Sequence, residues 1–275
     1  VQIFGWILAV LLALLMILVA WLAITAPLSR SLKPIVPPSI SLMSADGHLI
    51  ARRGAVIDTP VTMTELPPHV PQAFMAIEDR RFPTHWGIDP RGVARAMWHN
   101  LWSDGASQGG STITQQLAKG VFLSSDRTLG RKAREALIAL WLEVWLTKDQ
   151  IMERYLSNVY FGDNVYGLRA AARHYFNRVP ARLTVPQAAM LAGLLKAPSR
   201  LAPTGNLSGA RARAALVTQA MVDAGYLTQE ERNRLRPARL DVHDDPDATS
   251  GTYFADWVLP IARDRAGAVY GEQQI

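Results

Sequence analysis

Three stretches of the 275-residue chain combine residue types that can move a proton or hold an anion. The first, Ala76-Ile77-Glu78-Asp79-Arg80-Arg81-Phe82-Pro83-Thr84-His85-Trp86-Gly87, ends an apolar helical turn on two adjacent carboxylates. A carboxyl at the edge of a core can have a raised pKa and act as general acid or base near neutral pH. The competing reading is a solvated cluster in which Arg80 and Arg81 pair with Glu78 and Asp79. The second stretch runs from Gly109-Gly110-Ser111-Thr112 to Gln116-Leu117-Ala118-Lys119. A Gly-Gly turn feeding Ser/Thr at a helix start offers backbone N–H groups and hydroxyls to an anion. Thr112, Gln116 and Lys119 fall on one helical face, whose hydroxyl, amide and ammonium suit sugar hydroxyls and phosphate. Ordinary N-capping by Ser111 or Thr112 is the alternative. No Gly-Lys-Ser/Thr end is present, so this is not a P-loop. In the third stretch Arg131 and Glu135 are four apart on one face, either as a surface pair or as a cationic wall beside a second acid. Between Glu78 and Glu135 lie nine Lys/Arg and six Asp/Glu, so half of the chain's net +6 sits beside the two glutamates.

These residues need helices to hold them. Apolar spacing predicts helices over Gln72–Asp79, Asp89–Leu101, Ser111–Phe122 and Thr128–Leu146. The same pattern continues over Lys148–Tyr160, Gly167–Phe176, Val185–Leu195, Gly209–Ala224 and Thr228–Leu235, with Thr228 and Glu231 as a capping box. Ser103–Gly110 is polar, glycine-rich and expected to be mobile. Ahead of the helices, Ile40–Met43 and Leu49–Arg52 flank Asp46-Gly47, a hairpin signal. Asp241–Ser250 reads as an acidic, Pro-containing linker, followed by a helix over Tyr253–Gly267.

The chain opens with Val1–Ile24, almost wholly apolar, with Trp6 and Trp21 near its ends. As a helix it would rise roughly 36 Å, enough to cross a bilayer, and the tryptophans suit its interfaces. The expectation is a single transmembrane helix. Starting on Val1 suggests a piece of a longer product. The expected domains are an anchor at 1–26, a linker with a β-hairpin at 27–71, a helical domain at 72–240, and at 241–275 the start of a further region. With 49% apolar and 19% charged residues the chain is not disordered. It has no Cys, hence no disulfide framework and no Cys-ligated metal. The basic balance favours an anionic partner.

Taken together and in order, the motifs are specific. Glu78-Asp79-Arg80-Arg81-Phe82-x-x-His85-x-Gly87, Gly110-Ser111-Thr112-Ile113-Thr114-Gln115-Gln116, Arg131-Lys132-x-x-Glu135 and Lys148-x-x-Ile151-Met152-Glu153-x-Tyr155-Leu156 resemble the peptidoglycan glycosyltransferase family. That family occurs as monofunctional transglycosylases and as the N-terminal domain of class A penicillin-binding proteins. The resemblance covers Ser39 to Leu240. It implies a mainly α, lysozyme-like two-lobed domain that polymerises lipid II into β-1,4 glycan strands and releases undecaprenyl diphosphate. It implies Glu78 as general base and Glu135 as the donor-site glutamate, which either orients cations or helps hold a metal; orientation is the preferred role. Lys119, Arg127 and Arg131 match diphosphate-binding positions, and Arg95 matches a further cationic cleft position. Asp79, Phe82, His85, Thr112 and Gln116 match residues that shape the cleft, and Leu101, Trp102, Val121, Phe122 and Leu123 are jaw candidates.

The resemblance also implies partners and place. These are lipid II, the lipid-linked glycan chain, a membrane and other cell-wall synthesis proteins, with the catalytic domain on the outer face of the cytoplasmic membrane. A divalent cation such as Mg²⁺ would arrive bridging the substrate diphosphate; protein ligands for a metal stay unassigned, and no organic cofactor is implied. Moenomycin is the expected inhibitor. Ser157, Gln187 and Gly120 depart from residues common in the family. A peptidoglycan-cleaving lytic enzyme is the nearest rival, and the motifs for diphosphate binding count against it. Nucleic-acid binding lacks any recognition motif. The connector-like Thr252-Tyr253-Phe254-Ala255-Asp256-Trp257 suggests a bifunctional parent, although this piece has no Ser-x-x-Lys and so no transpeptidase activity of its own.

Overall fold

A computed structural model describes residues 39–43, 46, 49–54, 58–102, 109–122 and 128–242, with isolated helical positions among 4–28 and at 257, 258 and 261. The described elements are β1 (Ser39–Met43), β2 (Leu49–Gly54), α1 (His69–Glu78), α2 (Pro90–Trp102), α3 (Ile113–Phe122), α4 (Leu129–Trp145) and α5 (Lys148–Asn158). They continue with α6 (Leu168–Phe176), α7 (Val185–Leu194), α8 (Pro198–Leu201), α9 (Leu207–Asp223) and α10 (Gln229–Arg234). The two strands pair antiparallel, Ser39 opposite Gly54 and Ile40 opposite Arg53, with the register shifting between Leu42 and Met43.

The expected fold class, a mainly α lysozyme-like domain with a β-hairpin on a single transmembrane helix, is corrected at its transmembrane helix. The described protein is mainly helical and its strand structure is confined to this one pair. Among the described residues no helix is long and apolar enough to cross a membrane. The expectation rested on the apolar length of Val1–Ile24. Apolar length states which solvent a segment tolerates and does not by itself fix a continuous helix. Most of 1–26 lies outside the described residues, as do Arg127, Leu123, the 103–108 part of the polar loop, the linker from 243 and most of the helix expected over Tyr253–Gly267.

The chain divides into two compact units, Val1–Pro34 with Glu78–Met152, and Ile35–Ile77 with Glu153–Ile275. In the first unit α3 packs on α4. Ile113, Leu117 and Ala118 bury one stripe of α3, and Ile138, Ala139 and Leu142 bury one stripe of α4. The 3.6-residue period of both helices turns these positions inward together.

In the second unit α7 lies against α9. From Gln187 to Leu194 every residue of α7 is buried. A helix that is apolar all round must be enclosed. Its one polar inward residue, Gln187, closes a capping box by accepting the Thr184 N–H at 3.0 Å. Gly193 lets the helices approach: a Cβ there would stand 2.9 Å from Arg213 Cγ and 3.3 Å from its carbonyl carbon. Phe74 meets Phe161 edge-on at 6.1 Å, and the Tyr175 hydroxyl donates to Phe161 O at 3.1 Å. Burial, reinforced by the Asp163 carboxylate, pushes the Tyr175 phenol well above its ordinary pKa. Ser157, one of the departures noted above, accepts the Val61 N–H at 3.0 Å and thereby holds the segment that leads into α1.

Candidate active site

The site is built where α1 stops. The sequence reading places the helix end at Asp79; the structure ends α1 one residue earlier, at Glu78. The two adjacent carboxylates therefore leave the helix in different directions. Glu78, half-buried, accepts a hydrogen bond from Gln116 Nε2 at 2.8 Å. Asp79 is buried and accepts His85 Nε2 at 2.8 Å and the Ile113 N–H at 3.0 Å. The Ile113 N–H opens α3 and has no intrahelical partner, so Asp79 supplies it with one. The solvated-cluster alternative for the adjacent arginines does not hold for Arg81, whose Nη1 pairs with buried Asp89 at 3.0 Å.

Thr112 is buried and caps α3: its Oγ1 accepts the Gln115 N–H at 3.1 Å, while Gln115 Oε1 accepts the Thr112 N–H at 3.1 Å. This reciprocal pair is a capping box. The same hydroxyl donates to Gly87 O at 2.6 Å. Thr112 is thus an anchor rather than an open hydroxyl. Gly87 has φ +70°, and a Cβ there would lie 2.8 Å from Ala139 O of α4. Only glycine fits both the left-handed backbone and the close approach.

Phe82 and His85 are also props. Both are buried, ring centroids 6.2 Å apart, and Lys148 Nζ lies 4.6 Å over the Phe82 ring. Lys148 donates to His85 O at 2.6 Å and pairs with Glu143 at 2.7 Å; Glu143 in turn accepts the Thr114 hydroxyl at 2.7 Å. Lys148 thereby ties the 79–87 loop, α3 and α4 into one frame. Sequence reasoning does not assign Glu143, Thr114 or Gln115 any site role; Thr114 and Glu143 meet across 29 residues, which leaves no local signal, whereas Thr112-x-x-Gln115 is itself a capping-box pattern.

The second cluster lies on the first two turns of α4. Glu135 is buried, with one carboxylate oxygen accepting from Arg131 Nη1 at 2.8 Å and the other from Lys132 Nζ. Lys132 also donates to Ser111 Oγ at 3.0 Å. Lys132 was not singled out as a site residue, although its i,i+3 spacing to Glu135 carries the signal. Thr128 caps this helix by accepting the Arg131 N–H at 3.1 Å. Lys119 and Arg95 are exposed on α3 and α2. The structure therefore joins Glu78 to Gln116, Asp79 to His85, and Arg131 to Glu135, each within the first unit. Among the described residues no hydrogen bond or ion pair joins Arg95 or Lys119 to these groups, and Arg127 lies outside the described residues.

The donor set does not fit a protein-held metal. Both Glu135 oxygens are committed to cations, and among the described residues no three His, Asp or Glu side chains converge on a common point. What the arrangement can do is different. A half-buried carboxylate oriented by an amide can accept a proton from an attacking hydroxyl. A guanidinium and an ammonium fixed on a buried carboxylate can stabilise anionic charge without reorganising.

A half-buried carboxylate at one helix end and a carboxylate-anchored cationic cluster on another are groups that transfer chemistry on an anionic donor could use. A family model described as Transglycosylase matches residues 46–222. Over 230 residues the chain is 43% identical to penicillin-binding protein 1A of Escherichia coli K12, covering 83% of this chain and 27% of that protein. It is 38% identical over 244 residues to penicillin-binding protein 1A of Haemophilus influenzae, covering 88% and 28%. It is 37% identical over 243 residues to penicillin-binding protein 1F of Bacillus subtilis, covering 88% and 34%. The crystal structure of the Haemophilus influenzae protein superposes with a TM-score of 0.46 at 20% identity, over 86% of this chain and 25% of that one, too loosely to add to the assignment. The chain belongs to the transglycosylase family, and its domain is a peptidoglycan glycosyltransferase. It spans roughly a quarter to a third of the length of these curated relatives.

Proposed function

We propose that the domain polymerises lipid II into β-1,4 glycan strands, with Glu78 as the general base. The observation that carries this reading is the Glu78–Gln116 contact: a half-buried carboxylate at the end of α1 that accepts Gln116 Nε2 at 2.8 Å, the amide fixing where the carboxylate points. The acceptor is the 4-hydroxyl of one lipid II. As its oxygen attacks C1 of the lipid-linked donor, Glu78 takes the hydroxyl proton, the α-linked diphosphate leaves, and the new bond is β. A sugar hydroxyl is a poor nucleophile near pH 7, so a positioned base is worth about 10²–10⁴-fold. Charge building on the leaving undecaprenyl diphosphate is taken up by Arg131 and Lys132; the family resemblance adds Lys119 and Arg127 as further diphosphate-binding cations. Glu135 holds Arg131 in place. A divalent cation enters this reading only as a counter-ion brought by the diphosphate.

A polyprenyl substrate sets the working place at the outer face of the cytoplasmic membrane. Met97, Trp98 and Trp102 on α2 are exposed, the two tryptophan rings 5.6 Å apart, and suit contact with a lipid surface. In the full-length protein the domain would work as the polymerising part of a longer penicillin-binding protein, alongside other cell-wall synthesis proteins.

The test uses the purified chain with labelled lipid II in detergent. Muramidase-sensitive polymer should form, Glu78→Gln should abolish it, and moenomycin should block it in competition with lipid II. Polymerisation surviving in Glu78→Gln overturns the base assignment. Release of fragments from preformed peptidoglycan, with no polymer made, overturns the reaction.

A further inference from the structure

The proposed reaction leaves a second concentration of positive charge without a role. From 176 to 241 the chain carries ten Lys/Arg against four Asp/Glu. Five of these arginines line two concavities in the second unit. One, of about 230 Å³, is rimmed by Arg178, Arg236, Arg239 and Asp241. The other, of about 260 Å³, is rimmed by Arg211, Arg232 and Arg236 over an apolar floor that includes Met190 and Leu235. Pro186, Arg236, Pro237 and Ala238 belong to both, so the two concavities adjoin across a shared wall and together make an arginine-lined groove. The shared wall is pinned: Arg211 Nη2 donates to Ala238 O at 3.4 Å, and the Asp241 N–H to Tyr175 O at 3.0 Å.

None of these five arginines forms an ion pair among the described residues, and the buried Nε of Arg232 has no hydrogen-bond partner there. Glu230 is committed to Arg234, Glu231 to the Thr228 cap and Asp223 to Gln219. Like charges gathered in a concave surface repel one another and concentrate an anionic field, and the planar guanidinium matches a carboxylate.

The chain itself supplies the counter-charge. Asp241-Val242-His243-Asp244-Asp245-Pro246-Asp247 places four carboxylates in seven residues, and the first already stands on the groove rim. An extended chain advances about 3.3 Å per residue, so three to six residues beyond Asp241 can reach ~10–20 Å, the scale of two adjoining concavities. Covalent continuity supplies an effective concentration in the millimolar range or above. We propose that the arginine-lined groove is the docking site for the chain's own acidic segment at 244–247, and that this docking sets the direction in which the polypeptide leaves the domain.

Hydrogen exchange on the full 275-residue chain tests it. At low salt the amides of 243–245 and 247 should exchange at least ~10-fold more slowly than a free peptide. R236E/R239E should return them to the free rate, as should ~0.5 M salt through screening. Adding D244R/D245R to R236E/R239E should restore protection. A thermal melt checks that each variant folds, and R236Q/R239Q takes the place of the charge reversal if it does not. Exchange at the free rate in the parent chain, protection that survives loss of both arginines, or a charge swap that restores nothing would each overturn the proposal. A synthetic peptide of 241–247 should bind the D244N/D245N/D247N chain at least ~10-fold more tightly than the parent; equal binding to both would show that the groove is not occupied by its own segment.

Discussion

Replacing Asp79 separates a buried support from a residue that meets substrate. Its carboxylate, 7% exposed, is the acceptor for two buried donors, His85 Nε2 at 2.8 Å and the Ile113 N–H at 3.0 Å. Asp79→Ala strands both. Each buried unsatisfied donor costs ~1–3 kcal/mol, so the pair predicts a loss of ~2–6 kcal/mol. For a chain of this size ~1 kcal/mol corresponds to ~2–4 °C in Tm, giving a fall on the order of 10 °C. Asp79→Asn can place its amide oxygen at the Oδ2 position, which accepts both donors, and turns its NH₂ toward His85 Nε2, which also meets Oδ1, so a smaller loss than in Asp79→Ala is expected. Thermal and urea unfolding followed by tryptophan fluorescence read the stability; glycan polymerisation reads activity alongside. Both variants should lose stability in the stated order, with activity recovering toward the parent level at temperatures where the variant stays folded. An Asp79→Ala chain that melts within ~1 °C of the parent while losing more than ~100-fold in activity would refute the reasoning, because Asp79 would then act on substrate directly.

Three further outcomes follow from the geometry. Gln116→Leu removes the amide that holds Glu78, a hydrogen bond to a charged group worth ~1.5–3 kcal/mol, so kcat should fall ~10–100-fold with little change in Tm; an unchanged kcat would remove Gln116 from the positioning of the base. Gly87→Ala combines a left-handed backbone with a Cβ 2.8 Å from Ala139 O, and should destabilise by ~2–4 kcal/mol in a urea titration, against ~1–2 kcal/mol from the backbone alone if that contact were absent. Burial works to raise the Glu65 pKa, but hydrogen bonds from Arg169 and the Thr62 N–H, together with the Arg169 charge, outweigh it and hold the carboxyl below its ordinary value. A depressed folded pKa contributes stability that is complete above the unfolded value of 4.5 and fades as pH falls through the lower folded value. Glu65→Gln should therefore lose stability near neutrality and flatten part of the acid-side decline in a Tm-against-pH series; an unchanged series would show the Arg169 pair to be inert.

Local pattern reached a long way into this protein. Periodicity placed the helices that carry the site, within one to three residues at most ends, because a 3.6-residue stripe is a local property. It set the start of α1 at Gln72 rather than His69 because Pro71 looks like a breaker, yet proline is tolerated in a first turn where N–H groups lack helical partners anyway. The same reading took Thr112, Gln116 and Lys119 as one open face. Their spacing is right, but Thr112 is drawn inward by Gly87 O and by its own cap, and spacing along one helix carries no information about the loop that meets it.

The sequence by itself determined the chemistry available: two glutamates, the cations beside them, a turn feeding a capped helix, and the family those motifs belong to. Only the tertiary structure decided which groups are free to act. Ending α1 at Glu78 turned adjacent carboxylates to different tasks, one toward Gln116 and one into a buried brace for His85 and α3. Lys132, Glu143 and Lys148 entered the site through partners up to 63 residues away, and five arginines from three separate stretches met in one groove. Side-chain types and local periods are written residue by residue, whereas burial and partnership exist only once distant segments have packed.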